Sequence, residues 1–236
     1  MEKVADSHLH RYERKYPLPN VSQAEVEQWI KRHPCFFSEI YHQRRVNNIY
    51  LDLPHLEYYY ANRNGLAERK KIRIRWYGET FGHVHKPILE FKIKRGIVGR
   101  KSSFALQDFT FNNDFNIFSL NHIFESSNLP SNIRDELRQT EPTLVNHYFR
   151  RYYQSADKRY RLTLDFGLEY ASIQKHSNFF LFSHKIDQDV IVEIKYDIET
   201  DPEAEHITNA FPARMDKNSK YINGVDLVFE SGPLRH

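Results

Sequence analysis

Five segments of this chain alternate apolar and charged residues with a period of two, a pattern that leaves little choice of structure. Successive side chains of a β-strand point to opposite faces, so each segment sorts its charges onto one side. Lys71, Arg73 and Arg75 oppose Ile72, Ile74 and Trp76, and Glu90, Lys92 and Lys94 oppose Leu89, Phe91 and Ile93. Arg159, Arg161, Thr163 and Asp165 oppose Tyr160, Leu162, Leu164 and Phe166; Asp189, Glu193 and Lys195 oppose Val190, Val192 and Ile194. Near the start, Arg11, Glu13 and Lys15 share one face. One such strand is an ordinary antiparallel strand with a wet outer side. Here Glu-x-Lys recurs at 13/15, 90/92 and 193/195, and Arg-x-Arg stands at 73/75. The repetition favours charged faces that converge inside a closed barrel, with the apolar faces pointing outward under helices. The expected fold is α+β: an antiparallel β tunnel barrel with a polar, cation-lined lumen and helices packed outside.

A lumen lined in this way calls for an anion. Two like charges about 7 Å apart repel by roughly 2 to 3 kcal/mol at an effective dielectric near 20, and many such pairs would face one another. Arg offers planar, bidentate recognition of phosphate oxygens and Lys a point charge, so the mixture suits a run of phosphoryl groups better than a single carboxylate. The inward carboxylates Glu13, Glu90, Asp165 and Glu193 would repel phosphate unless paired with lysine or bridged by a divalent metal. Hard Mg²⁺ or Mn²⁺ takes such oxygens together with substrate phosphates.

The rest of the chain agrees with one folded domain. Hydrophobic residues make up 40% of the 236, with 15 Tyr and 17 Phe, which argues against disorder. The net charge of +3 carries no bulk signature of a nucleic-acid protein, so any anion specificity must come from placement. The lone Cys35 forms no internal disulfide and reads as structural. No apolar run reaches a membrane-spanning length and the first residues lack a signal-peptide core, so a cytoplasmic location is expected. The expected domain spans residues 8–226, with 1–7 and 227–236 as tails. Ser22 and Glu25 form a capping box that starts a helix over 23–32, and Pro34 ends it. Strands are expected at 8–16, broken by Pro17, and at 47–53, 68–77, 86–95, 100–107, 143–154, 158–167, 168–174, 179–185 and 189–197. Helices are expected near 114–125, 131–138 and 201–210, with a turn or short helix over 54–62.

Other candidates weigh less. His8 and His10, and again His83 and His85, have a spacing that suits a transition metal, but no third ligand is evident and a solvated strand end or loop explains them more simply. The aromatic runs at 57–60 and 149–153 suit core packing better than single-stranded nucleic acid. Arg44-Arg45 and Arg69-Lys70-Lys71 are either solvated or guards of a tunnel mouth. No phosphate-binding P-loop or serine-hydrolase elbow is present.

Taken in order, several short segments resemble the vacuolar transporter chaperone (VTC) domain, the polyphosphate polymerase branch of the triphosphate tunnel metalloenzymes. They are Arg11 to Tyr16, Ile49 to Asp52, Asn62-Arg63, Ile72 to Trp76, Leu89 to Lys92, Tyr148 to Arg151, Tyr160 to Asp165, Val192 to Lys195 and Ser219 to Tyr221. The resemblance implies phosphate-binding roles for Lys15, Arg63, Arg73, Arg75, Lys92, Arg150, Arg161 and Lys220, and a metal-binding role for Glu193. Lys195 shares the Glu193 face and joins the substrate-binding set. Lys15, Arg73, Arg75 and Glu193 are the expected catalytic group. Arg151 adjoins Arg150, and alternation alone does not separate that pair. Arg11 stands where the wider superfamily has a first glutamate, which favours the polymerase-like branch over a hydrolase that needs several metal-binding carboxylates. The implied activity is Mn²⁺- or Mg²⁺-dependent transfer of the γ-phosphate of a nucleoside triphosphate, ATP, onto a polyphosphate chain. Alternatives are hydrolysis of tripolyphosphate or another triphosphate in the same tunnel, or a non-catalytic polyphosphate-binding module. The regulatory and membrane segments of the eukaryotic domain are not recognised, so coupling to export would need a separate membrane protein partner. Nucleic acid is not an expected partner.

Overall fold

A computed structural model of the protein describes residues 11–96, 98–184 and 190–230. His8, His10, Asp189 and most of the last tail lie outside these. The strands are β1 (Arg11–Leu18), β2 (Ser38–Asp52), β3 (Glu68–Tyr77), β4 (Gly82–Val84), β5 (Ile88–Arg95), β6 (Val98–Ala105), β7 (Phe109–Phe111), β8 (Glu141–Gln154), β9 (Arg161–Ser172), β10 (Ser183–His184) and β11 (Val190–Asp197). The helices are α1 (Gln23–Arg32), α2 (Glu57–Arg63), α3 (Ile117–Ser126), α4 (Ser131–Leu137), α5 (Ala204–Asn209), entered through a 3₁₀ turn at Ile198–Glu203, and α6 (Lys220–Glu230). One antiparallel sheet runs β1-β11-β9-β8-β2-β3-β5-β6, with β10 added to β9, and β4 pairs with β7 in a small separate ribbon.

The sheet curls until its two ends meet through side chains. Glu13 on β1, at one edge, lies 3.6 Å from Lys92 on β5, next to the other edge. The charged faces therefore look into the curl and the apolar faces look out. Leu162, Leu164, Val192 and Ile194 pack outward against Val26 and Ile30 of α1. Ile72, Ile74, Trp76, Leu89 and Phe91 pack outward against Leu120, Ile123 and Phe124 of α3. At the start of α1, Ser22 N–H donates to Glu25 at 2.9 Å and Glu25 N–H donates to the Ser22 hydroxyl at 3.3 Å.

Several boundaries differ from those expected, each for a local reason. β1 runs through Pro17 to Leu18 because it is an edge strand, where a missing N–H costs no ladder bond. The two strands expected at 158–167 and 168–174 are one strand, β9. Gly167, at φ 59°, forms a bulge against β8, where the pairing slips between His147 and Phe149. The extra residue reverses the alternation: Asp165 points inward before it, and Leu168 and Tyr170 join the inward apolar cluster after it. β2 begins at Ser38 rather than 47, its first half exposed and irregularly paired with β8. Of the strand expected at 179–185, only Ser183–His184 pairs among the described residues.

The largest departure is α6, which was not expected and which extends past 226, so residues 227–230 are helix rather than tail. It packs on the inner face of the sheet, where Tyr221 and Val225 join Tyr50, Leu144, Tyr148 and Ile191 in a third apolar cluster. Gly224 is needed for this approach: a Cβ there would overlap the Tyr170 ring and the Leu144 side chain. Asp52 locks the helix from the other side. Its carboxylate accepts from the backbone N–H groups of Tyr58 and Tyr59 at 2.8 Å, capping α2, and from the Tyr221 hydroxyl of α6. Gly224→Ala is expected to lower stability by about 1 to 3 kcal/mol through overpacking, although Ala is the better helix former. Denaturant unfolding checks this; a gain in stability would show that α6 does not pack against the sheet this closely.

Candidate active site

The antiparallel register sets charged residues from six strands side by side. Lys15 on β1 faces Glu193 on β11, Glu193 faces Thr163 on β9, and Arg150 on β8 faces Asp165 on β9. Further round, Arg75 on β3 faces Asn48 on β2, which faces Asn146 on β8, and Arg73 on β3 faces Glu90 on β5. From α6, Lys220 enters the same space. Its Nζ lies 2.6 Å from Asp165 and 4.8 Å from the centre of the Tyr148 ring.

The four inward carboxylates are not equivalent. Asp165, fully buried, is saturated: Arg150 grips it through Nε and Nη2 at 2.5 and 2.6 Å, and Lys220 adds a third contact. Glu90 is held by Arg73 and Lys101, both at 2.6 Å, with Arg75 at 3.7 Å. Glu13 pairs with Lys15 at 3.0 Å. Glu193 is different. It is 5% exposed and surrounded by Lys15, Lys195 and Arg150 at 3.5 Å and Lys220 at 3.6 Å, yet no cation among the described residues comes nearer. Charge-assisted bonds are normally 2.7–2.9 Å, so its oxygens are neutralised without being closely hydrogen-bonded. Beside it, the buried Thr163 hydroxyl has no hydrogen-bond partner among the described residues.

Electrostatically the inner face is positive and keeps its acids ionised. Burial alone would raise the Glu193 carboxyl, but Lys15, Lys220, Arg150 and Lys195 hold it well below the usual carboxylate range. Glu13 is likewise brought down to about 2, against its own desolvation, by Lys15, Lys92 and Lys195. Cations pay the opposite penalty where acids are lacking. Lys71, partly buried and donating to Ser219 at 2.8 Å, is pushed down to about 7 by burial and then by the charges of Lys15, Lys92, Arg73 and Lys94.

That depression has two consequences of opposite sign. Between about 7 and the 10.5 of an ordinary lysine, the unfolded chain holds the Lys71 proton and the folded chain does not, so this group's contribution to stability rises with pH across that window. A polyanion bound beside Lys71 would restore the proton, so such binding is expected to take up protons in the same window, with the Lys71 share of the affinity falling as pH rises. Calorimetry of tripolyphosphate binding in buffers of different ionisation enthalpy is expected to show this uptake in the wild type and to lose it in Lys71→Arg, which stays charged. Equal uptake in both would remove Lys71 as its source.

Of the residues singled out from the sequence, Lys15, Arg73, Arg75, Lys92, Arg150, Lys195, Lys220 and Glu193 lie on the inner face and are joined through the contacts above. Arg161 lies on the same face in register with Lys195, exposed at the end of the row. Arg63 differs: it sits on α2, donates to the Tyr59 hydroxyl at 2.5 Å and lies 3.5 Å from Asp226 of α6, so it belongs to the helices that close the inner face rather than to the strands. The fold separates the adjacent arginines. Arg150 points in, whereas Arg151 points out to Glu27 of α1 at 2.5 Å and Glu39 at 3.0 Å. Arg44 joins the inner face, facing Arg150 across the β2–β8 ladder and ringed by Tyr41, Tyr77 and Tyr152, while Arg45 bonds Glu79. Lys71 points in and Lys70 pairs with Glu136 of α4. Lys101, Asn48 and Asn146 escaped the sequence analysis. Lys101 sits in a stretch without apolar alternation, and Asn48 and Asn146 gain importance only by meeting at 2.8 Å to steady Arg75.

A curled antiparallel sheet whose cation-lined inner face encloses a few ionised carboxylates defines a protein of the tunnel class. Solved structures share this fold. PH1819 protein from Pyrococcus horikoshii OT3 aligns over 92% of this chain and 99% of its own at 13% identity, with a TM-score of 0.55. HpAC1 from Hippeastrum, an adenylyl-cyclase-like protein described as having a dominant triphosphatase activity, aligns over 93% and 96% at 14% identity, with a TM-score of 0.51. No curated protein sequence matches the chain. The family model of the VTC domain matches residues 10–229, and the chain belongs to that family. No helix among the described residues is long and apolar enough to cross a membrane.

Proposed function

We propose that this protein is a metal-dependent phosphotransferase that moves the γ-phosphate of a nucleoside triphosphate, ATP, onto a polyphosphate chain held in the tunnel. The observation that carries this reading is Glu193: a buried, ionised carboxylate, loosely held in a ring of four cations, beside a hydroxyl that has no hydrogen-bond partner among the described residues. The donor set fits a hard divalent cation. Mg²⁺ and Mn²⁺ take one or two protein oxygens and fill the rest of their coordination with water and phosphate oxygens, so Glu193, with Thr163 beside it, would hold the ion. When bound, the ion supplies neutralisation of charge on phosphoryl oxygens.

The chain's own residues account for the remaining requirements. Arg73 and Arg75, steadied by Glu90 and Asn48, present guanidinium groups from one wall. Lys15, Arg150, Lys195 and Lys220 present charge from the other and above. Phosphoryl transfer needs positioning and charge neutralisation rather than a covalent protein nucleophile, and this arrangement supplies both. Hydrolysis of tripolyphosphate is the second reading, suggested by the activity described for HpAC1. Against it, Asp165, Glu90 and Glu13 are engaged by cations at 3.0 Å or less, which leaves Glu193 as the one loosely held carboxylate among these four.

Incubation of purified protein with ATP and Mn²⁺ or Mg²⁺, with products resolved by chain length on a gel, separates the readings. A ladder of lengthening chains supports transfer. Orthophosphate without long products supports hydrolysis, and binding without turnover supports a polyphosphate-binding module. A membrane protein that couples synthesis to export is a proposed partner, testable by co-purification.

A further inference from the structure

His83 and His85 play no part in the tunnel. His83 lies on β4 and His85 just beyond its end, two residues apart and on one side of the ribbon, with ring centres 4.4 Å apart. A third ligand is missing from the local sequence and is supplied by the fold. Pairing of β4 with β7 brings up Asp108, the residue before β7, so that its Oδ2 lies 2.9 Å from His85 Nδ1 and 3.8 Å from His83 Nε2. One donor atom from each residue falls within 4.8 Å of the others, all three residues being exposed. The other carboxylate oxygen of Asp108 accepts from the Lys86 backbone N–H at 2.9 Å, offered by a left-handed residue at φ 49°. The carboxylate is thus oriented from behind, as metal-ligating carboxylates are.

We infer that His83, His85 and Asp108 form a second metal site, specific for a borderline transition cation such as Zn²⁺ and separate from the tunnel. Two imidazole nitrogens and one carboxylate oxygen, open to solvent, match three protein ligands of a tetrahedral ion whose fourth position is water. Imidazole also sets this site apart from the oxygen ligands preferred by Mg²⁺. The position gives the ion a structural task. The β4–β7 ribbon has only three residues per strand, yet its Val84, Phe109 and Phe111 help cover Trp76 in the outer core. An ion gripping both strands clips that ribbon in place and stabilises the folded state by mass action.

The test is calorimetric titration of Zn²⁺ into the full chain, stripped with chelator and free of phosphate, together with melting curves. One saturable site is expected, with a Zn²⁺-dependent rise in melting temperature. His83→Ala and Asp108→Asn are each expected to weaken binding at least about tenfold and to abolish the melting shift, whereas Glu193→Gln leaves both unchanged. No saturable isotherm would overturn the assignment. So would unchanged affinity in His83→Ala and Asp108→Asn, which would put the ion on others of the 13 histidines, and so would loss of binding in Glu193→Gln, which would put it in the tunnel.

Discussion

Glu193→Gln is expected to reduce metal-dependent turnover by more than about a hundredfold, beyond the loss seen when a supporting residue of a metal site is removed. The substitution keeps shape and removes the charge that the four surrounding cations neutralise. Affinity for a short polyphosphate is expected to be retained or to increase, because one repulsive charge has left a positive site. The unliganded variant is expected to melt at a lower temperature, since Lys15, Lys195, Lys220 and Arg150 then face one another with less compensation, and polyphosphate is expected to restore much of the loss. If Glu193 were only an ion-pair partner of those residues, the variant would lose stability and turn over almost normally. Near-wild-type metal-dependent turnover would therefore remove Glu193 from the catalytic site, whatever happened to the melting temperature.

Arg73→Ala and Arg75→Ala test the opposite wall. Each removes charge-assisted contacts worth about 1.5 to 3 kcal/mol, so affinity for a short polyphosphate is expected to fall by roughly 10- to 150-fold per variant. The fold is expected to survive. Glu90 keeps Lys101 at 2.6 Å when Arg73 is removed, so no buried carboxylate is left without a partner. Calorimetry with tripolyphosphate, alongside circular dichroism, measures both quantities. Unchanged affinity in both variants would remove this wall from the binding site, and an unfolded variant would show that the arginines hold the sheet rather than a ligand.

Much of this arrangement was legible in single strands. Period-two alternation in β3, β5, β9 and β11 identified which residues share a face, and the recurrence of Glu-x-Lys and Arg-x-Arg favoured an enclosed charged face over an ordinary wet one. The capping box of Ser22 and Glu25 located α1, because such a signal lies within four residues. Local chemistry of this kind survives folding because it depends on backbone geometry that every strand or helix shares.

What lay beyond the sequence depends on register, bulges and packing between distant segments. Arg150 and Arg151 are equivalent until pairing with β9 places Asp165 opposite Arg150 and sends Arg151 toward α1. The bulge at Gly167 reverses the inward set of β9, a change that alternation reads as two strands. Helix α6 carries Asn223-Gly224 in its interior, a pair typical of turns, and forms because its apolar side finds Tyr50, Leu144 and Ile191 on the inner face, where Gly224 fits and a larger residue would not. By itself the sequence determined that a cation-rich inner surface exists and which residue types line it. Only the tertiary structure decided which carboxylate is left loosely held, which lysine loses its proton near pH 7, and that a helix from the far end of the chain brings Lys220 to Asp165, because each of these depends on distances between residues far apart in the chain.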